Sequence, residues 1–203
     1  MDRAQFCLVV GDTLTHFTPA SNAGGINALG LMPPSLLAKK AGLDPSDILL
    51  RVNPVEFTVK RHIVRLNHQR PLLAGRGKEG QFLDGHTLQS WAAQLDTRVF
   101  LWRGQQGDAF ARSLPADTLR FDIDTATLYD LYRNHIWLSP INSGSAMRRP
   151  ATRGDWLYVS VNASLRDFRY NRRTKERLYI NDRVKELSLT CPIPPNMLKV
   201  LCK

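Results

Sequence analysis

Cysteine is scarce in this chain of 203 residues, which contains only Cys7, Cys191 and Cys202. The number is odd, and no two of the three have the close spacing of metal ligands. The sequence therefore favours neither a disulfide scaffold nor a structural zinc site. Because disulfides belong mainly to oxidising compartments, we expect a protein of the reducing cytoplasm.

Long apolar runs are also missing. No hydrophobic run approaches the roughly 20 residues that a membrane-spanning helix needs. The opening MDRAQFCLVVGDT has an apolar run that is too short, and an acid too early, for a secretion signal. We therefore expect a soluble protein with no membrane partner.

Several familiar catalytic motifs are absent as well. The sequence has no GxxxxGK phosphate loop, no GxGxxG placed after a strand, no HExxH, no CxxC and no GxSxG. Nucleotide-binding loops, zinc centres and serine nucleophile elbows all depend on these spacings. We therefore predict no metal, and the hydrolase and kinase interpretations become weak.

Acidic residues are outnumbered, with 28 lysines and arginines against 18 acids and a net charge of +10. Such an excess attracts polyanions, although a basic protein without a nucleic-acid role remains the alternative. The segment SLRDFRYNRRTKERLY interleaves basic and aromatic side chains. It indicates either a solvated helix face, which is more common, or an arm that binds nucleic acid. The basic residues chosen here are Arg166, Arg169, Arg172, Arg173 and Lys175.

The remaining pattern predicts one α+β domain over residues 1–203. Helices interrupt the predicted strands irregularly. The predicted strands are TLTHFT, VEFTVKRHIVRL, TRVFLW, LRFDID, IWLSPI, DWLYVSV and VKELSLTCPI. TRVFLW is nearly all apolar, so we expect it to be central and buried on both faces. TATLYDLYRN is a predicted helix capped by Thr125. The glycine-rich LLAGRGKEGQFLDG is expected to be a mobile loop over a site.

Three polar residues stand out on otherwise apolar strands. His16 and Thr18 share one face of their strand, because side chains repeat every two residues. Glu186 lies in the middle of VKELSL, where a carboxylate is exposed, ion-paired or catalytic. The residues alone favour the plainer alternatives, which are a core histidine and an exposed or paired glutamate.

The order of several motifs adds a further indication. Five motifs follow one another along the chain in this order: LTHFTPASNAGGINALGL (14–31), TRVFLW (97–102), LSPINSG (138–144), TRGDWLY (152–158) and VKELSLTCPIP (184–194). Together they resemble bacterial ADP-ribosyltransferase-fold proteins related to DarT, a DNA-modifying toxin, and an uncharacterised bacterial family of the same superfamily. The resemblance covers nearly the whole chain. It implies a split β-sheet with peripheral helices that binds NAD, as a substrate, in a cleft.

The resemblance also implies roles for individual residues. His16 is expected to bind the adenosine ribose, with Thr18 and Asn22 near the same ligand. Arg61 or Arg65 would hold the phosphates. Glu186 matches the late-strand catalytic acid, and we group Arg65 with it as catalytic. The full set expected at the NAD site also includes Phe17, Gly25, Phe100, Trp102, Asn142 and Ser143. Arg153 matches a family position of unassigned role, and we group it with the nucleic-acid-binding residues.

Departures from the superfamily pattern narrow the acceptor. Val184 stands where protein-modifying members carry a second Glu or Gln, which argues against arginine as the acceptor. The leading hypothesis is a transferase that modifies a DNA or RNA base, in a toxin or phage-defence role with a possible antitoxin partner. A non-catalytic NAD-binding or nucleic-acid-binding module, a protein ADP-ribosyltransferase and an RNA 2′-phosphotransferase are the alternatives.

Overall fold

An antiparallel sheet of six strands forms the centre of the fold in the computed structural model, which describes residues 1–111, 117–147, 151–176 and 183–202. Side chains at 105, 106, 109, 110 and 172–176 lie outside that description. The strands are β1 Thr13–Pro19, β2 Val55–Val59, β3 His62–Leu66, β4 Val99–Arg103, β5 Thr118–Asp124, β6 Ile136–Ser139, β7 Val159–Ser160 and β8 Glu186–Leu189. The sheet order is β5-β1-β4-β8-β6-β7, and β2 and β3 form a separate hairpin.

Short helices surround the sheet. They are α1 Arg3–Val10, α2 Ala23–Leu29, α3 Pro34–Lys40, α4 Arg70–Leu73, α5 Glu79–Phe82, α6 Leu88–Asp96, α7 Gly104–Ala111, α8 Thr125–Tyr132, α9 Leu165–Glu176 and α10 Pro195–Leu201. The fold is therefore mixed α+β with an antiparallel sheet. No helix in the described ranges is long and apolar enough to cross a membrane.

The two faces of the central strands differ in their surroundings. Leu101 and Leu187 are paired neighbours on β4 and β8, and both belong to the larger apolar core. Phe100 pairs with Ser188 on the opposite face, beside a second apolar cluster built around α6. Phe100 and Trp102 are only half-buried. The expectation that TRVFLW is buried on both faces was therefore wrong, because one face of β4 borders a cavity.

Glycine allows one close approach that supports this arrangement. Gly30 ends α2 with φ 84°, a conformation that favours glycine. A Cβ at this position would lie 2.0 Å from the carbonyl oxygen of Ile193. The chain then pairs Leu31 with Ile193. Gly30 therefore connects the corner after β1 to the segment that follows β8.

Three local predictions need correction. Asp124, rather than Thr125, caps α8, since its carboxylate accepts a hydrogen bond of 2.8 Å from the Thr127 N–H. DWLYVSV contributes only the two residues of β7, after a 3-10 turn. The glycine-rich segment 73–85, expected to lie over a site, contains helix α5, and none of its residues lines the cavity that borders β4. Its Phe82 is fully buried, and a Cβ at Gly75 would lie 2.5 Å from the Phe82 ring.

Candidate functional site

The candidate site begins where β1 and β4 separate. These strands pair only at Leu14 with Arg103 and at Thr15 with Trp102. Past Thr15, the ring nitrogen Nδ1 of His16 lies 3.0 Å from the Phe100 carbonyl oxygen. If the two strands stayed paired, this carbonyl would accept a hydrogen bond from a backbone N–H. Here it is bonded to a side chain instead. The strands diverge, and a cleft opens between them.

A cavity of about 360 Å³ occupies this cleft. This volume lies within the range of about 300–1,000 Å³ that is typical of small-molecule sites. Strands β1, β3 and β4, helix α2 and the loop after β6 contribute to its walls. The residues predicted for the NAD site that line it are His16, Phe17, Thr18, Asn22, Gly25, Arg65, Phe100, Trp102, Asn142 and Glu186.

His16 is placed so that one ring nitrogen remains for a ligand. Burial lowers the pKa of the His16 imidazole, which favours the neutral ring. The Phe100 carbonyl can only accept, so in the neutral ring Nδ1 carries the proton. The other nitrogen, Nε2, is then an acceptor on a residue that lines the cavity. It is suited to a hydroxyl group of a ligand.

Asn22 lines the cavity, and its amide also has a structural role. Its Nδ2 donates to Thr18 Oγ1 at 2.8 Å and to the Arg65 carbonyl at 2.9 Å. Its Oδ1 accepts from the Arg65 N–H at 2.7 Å. The amide is therefore occupied in joining β1 to β3. Asn22 shapes the cavity wall by fixing two strands.

Glu186 carries the only buried glutamate carboxyl among the described residues, with 3% of the residue exposed. This corrects the expectation, drawn from the residues alone, that it is exposed or ion-paired. Ser143 donates to its Oε1 through Oγ at 2.5 Å and through the backbone N–H at 3.3 Å. Burial raises the pKa of Glu186 to about 7, against the opposing effects of Ser143, Arg153 and Arg98. The carboxyl therefore titrates near neutral pH, as a catalytic acid or base does.

Ser143 was predicted to contact NAD, but the structure places it behind Glu186. It is fully buried, and it is not among the residues that line the cavity. The indole N–H of Trp91 donates to its carbonyl at 3.1 Å, which fixes the loop after β6. Ser143 is therefore a positioning residue for the carboxyl.

Sequence reasoning missed Arg98. This arginine lines the cavity and is 8% exposed. Its Nη1 donates to Ser188 Oγ at 3.2 Å, and its guanidinium carbon lies 3.9 Å from the centre of the Tyr158 ring. The available signal was the two-residue repeat, which places Arg98 in register with Phe100 and Trp102.

Arg153 also lies inside the protein rather than at its surface. It is 2% exposed, and it donates to the Ser145 carbonyl at 2.9 Å. Its guanidinium lies 5.2 Å from the centre of the Phe82 ring. Grouping Arg153 with surface residues that bind nucleic acid is inconsistent with this burial. Its charge instead favours the ionised form of Glu186.

The two predicted phosphate-binding arginines differ in position. Arg61 is exposed in the turn between β2 and β3 and does not line the cavity. Arg65 lines the cavity, but its guanidinium forms a partly exposed ion pair with Glu56 at 3.3 Å. Neither is buried as Arg98 is.

Residues Leu165–Glu176 of the basic segment form helix α9. Arg166 and Arg169 are exposed on it, and Arg166 lies 5.5 Å from the ring centre of Tyr170. Phe168, by contrast, is buried and anchors the helix. The side chains of Arg172, Arg173 and Lys175 lie outside the described part of the chain.

One further pair of charges borders the cavity. Arg51 and Asp96 form a buried ion pair, with contacts of 2.5 Å and 3.1 Å. Gln69 donates to the same carboxylate at 3.2 Å. These groups satisfy one another, so the pair supports the wall. The described residues contain no cluster of three or more histidine, cysteine or acidic side chains suited to a metal.

Comparison with known proteins places the chain in a family. Residues 12–201 match a family of unknown function (DUF7002), and the protein belongs to it. No curated protein and no solved structure matches the chain.

Proposed function

We propose that this protein is an NAD-dependent mono-ADP-ribosyltransferase that modifies a nucleic-acid base. One observation carries the proposal. Glu186 and His16, from opposite ends of the chain, line a single cavity where β1 and β4 separate. A buried carboxyl with a pKa of about 7 and two aromatic side chains suit the nicotinamide half of NAD, and the neutral imidazole of His16 suits the adenosine ribose.

Glu186 would act on the ribose. The bond between nicotinamide and ribose breaks through a transition state that carries positive charge on the sugar, as in other glycosidic cleavages. An ionised carboxylate beside the sugar stabilises that charge. It also accepts a proton from the attacking atom of the acceptor. Because Ser143 holds Oε1, the second oxygen, Oε2, is the one available for these tasks.

His16, Phe100 and Trp102 would hold the ligand. His16 Nε2 accepts a hydrogen bond from a ribose hydroxyl, while Phe100 fixes the other ring nitrogen. Phe100 and Trp102 are half-buried on the cavity wall, and flat apolar surfaces of this kind stack on aromatic rings. The split between β1 and β4 supports a split-sheet interpretation of the fold.

The charge of the protein supports a nucleic-acid acceptor. The net charge is +10, and Arg166 and Arg169 are exposed on α9. Lysines and arginines of this kind bind phosphate backbones with a strong dependence on salt. A product that blocks DNA or RNA needs control, so we include a toxin or phage-defence role, with an antitoxin partner, in the proposal.

The deciding experiment incubates the protein with labelled NAD and a panel of DNA, RNA and protein acceptors. Free nicotinamide and the mass of the acceptor are measured. We expect nicotinamide release and an ADP-ribose adduct on a nucleic-acid base. Glu186→Gln should abolish both signals. Asp130→Asn is the matched control. Asp130 is an exposed carboxylate on α8 that pairs with Arg3 on α1, and α8 packs on the face of the sheet opposite the cavity.

Each other result has a definite meaning. Loss of a 2′-phosphate from RNA would favour the phosphotransferase alternative, and labelled protein would favour a protein acceptor. The enzyme proposal is wrong if no nicotinamide is released with any acceptor and if cells that express Glu186→Gln behave like cells that express the wild type.

The role of α9 is tested separately. Charge reversal at Arg166 and Arg169 should lower the slope of log affinity against log salt by about one for each phosphate that the helix no longer neutralises. An unchanged slope would mean that α9 is only a solvated face.

A further inference from the structure

Arg98 is an arginine whose surroundings inside the protein are incomplete. It is 8% exposed, and its guanidinium lies near two aromatic side chains. The guanidinium carbon is 3.9 Å from the ring centre of Tyr158 and 5.7 Å from that of Trp137. One hydrogen bond, to Ser188 Oγ at 3.2 Å, fixes its direction. The group is therefore held in place before any ligand binds.

This arginine has no carboxylate partner among the described residues. No carboxylate oxygen in that part of the chain lies within 4.0 Å of its guanidinium nitrogens. Its Nε is buried and has no hydrogen-bond partner there. Burying an unpaired charge costs several kcal/mol in general. The cost is offset when an anion occupies the adjoining cavity, which Arg98 lines.

The position of Arg98 relative to Glu186 limits which anion fits. Its partner Ser188 and the acid Glu186 are two residues apart on β8, so they share one face of the strand. Alternate residues on a strand are about 7 Å apart. An anion bound to Arg98 and a group in contact with Glu186 would therefore be separated by about the length of one sugar ring.

We propose that Arg98 binds the phosphate of a ribosyl phosphate whose sugar contacts Glu186. The sugar contact rests on the proposed function, whereas the phosphate contact rests on Arg98 alone. The phosphate belongs either to the nucleotide that supplies the ribose or to the backbone of a nucleic-acid acceptor. Arg98, and not Arg61 or Arg65, is then the arginine that holds the phosphate of the ligand.

The test compares two probes that differ only by a phosphate. Binding of nicotinamide mononucleotide and of nicotinamide riboside is measured by calorimetry on the full chain. A charge-assisted hydrogen bond contributes enough that we expect the phosphorylated probe to bind at least ten-fold more tightly. Arg98→Met should remove this difference. Arg103→Met is the matched control, since Arg103 ends β4, the strand that Arg98 directly precedes, does not line the cavity, and should leave the difference intact.

A second arm distinguishes the source of the phosphate. If the two nicotinamide probes bind equally, a short single-stranded oligonucleotide is titrated into the wild type and both variants. A loss of at least ten-fold in Arg98→Met, and not in Arg103→Met, assigns Arg98 to the acceptor. If neither probe pair nor oligonucleotide depends on Arg98, the inference is overturned.

Two safeguards keep the test decisive. If Arg98→Met does not fold, the wild-type comparison of the two probes still applies. Ser188→Ala then replaces Arg98→Met as the variant, because it keeps the charge of Arg98 but removes the hydrogen bond that orients the guanidinium. The outcome is also separate from the proposed function. A phosphate-dependent affinity without nicotinamide release supports Arg98 and contradicts the transferase proposal.

Discussion

Replacing Glu186 by glutamine should remove a pH dependence of stability that the buried carboxyl imposes. The folded protein keeps the Glu186 proton up to a pKa of about 7, whereas the ordinary value is 4.5. Between these values the unfolded chain binds fewer protons than the folded one, so stability falls as pH rises. At 1.36 kcal/mol for each factor of ten in proton affinity, the loss is about 3 kcal/mol, complete near pH 8.

The groups that face this carboxyl set the sign and size of the effect. Ser143 donates hydrogen bonds to the Glu186 carboxyl, and Arg98 and Arg153 act on the carboxyl through their positive charge. All three favour its ionised form. Desolvation is the larger effect and favours the protonated form. Glutamine keeps an oxygen for Ser143 and carries no charge at any pH. The variant should therefore match the wild type near pH 5 and exceed it at pH 8.

Thermal unfolding from pH 5 to pH 8 measures the difference directly. For a chain of this length, about 3 kcal/mol corresponds to roughly 6–12 °C in Tm at pH 8. Asp130→Asn should run parallel to the wild type at every pH, because it changes an exposed carboxylate. Parallel profiles for wild type and Glu186→Gln would refute the raised pKa and the desolvation argument with it.

Three other changes test the site and its support. Ser143→Ala should reduce kcat about ten-fold with little change in the KM for NAD. It should also move the pH–rate midpoint upward, since the variant lacks a hydrogen bond to the ionised form of Glu186; an unmoved midpoint would contradict a positioning role. His16→Ala should weaken NAD binding by about ten-fold in calorimetry while kcat at saturating NAD changes less, and an unchanged affinity would remove His16 from the site. Asp96→Asn leaves Arg51 buried without its charge partner and should cost about 3–5 kcal/mol in urea unfolding; a cost below about 1 kcal/mol would mean that water reaches the pair.

The local patterns predicted much of the chain for identifiable reasons. Alternation marked β1, a nearly all-apolar run marked β4, and Gly30 marked the end of α2. VEFTVKRHIVRL was predicted as one strand but forms the hairpin of β2 and β3. Predictions failed where local signals conflict with packing. Segment 73–85 has the glycines of a loop over a site, yet its Phe82 is fully buried and none of its residues lines the cavity. Arg153 was grouped with the nucleic-acid-binding residues after matching a family position, yet its neighbours bury it.

Most members of the candidate site could be predicted from the sequence, but Arg98 and the individual roles could not. The residues alone favoured a core histidine at His16 and an exposed or paired glutamate at Glu186. The family resemblance placed both at the site, and both line the cavity. Whether a chosen residue faces a ligand or supports another residue depends on contacts between distant segments. Ser143 was therefore assigned to the ligand, although it holds the carboxyl and does not line the cavity. Asn22 does line the cavity, and the joining of two strands by its amide was not foreseen.

By itself the sequence determined the α+β class, the absence of familiar phosphate and zinc motifs, the positive charge, and the period-two placement of His16, Thr18 and Glu186. These properties are local or additive along the chain. The tertiary structure decided that β4 lies between β1 and β8, and that β1 leaves β4 after Thr15. It also decided that Arg98 is buried beside the cavity. Strand order and burial arise from contacts between residues far apart in the chain, and no local pattern encodes them.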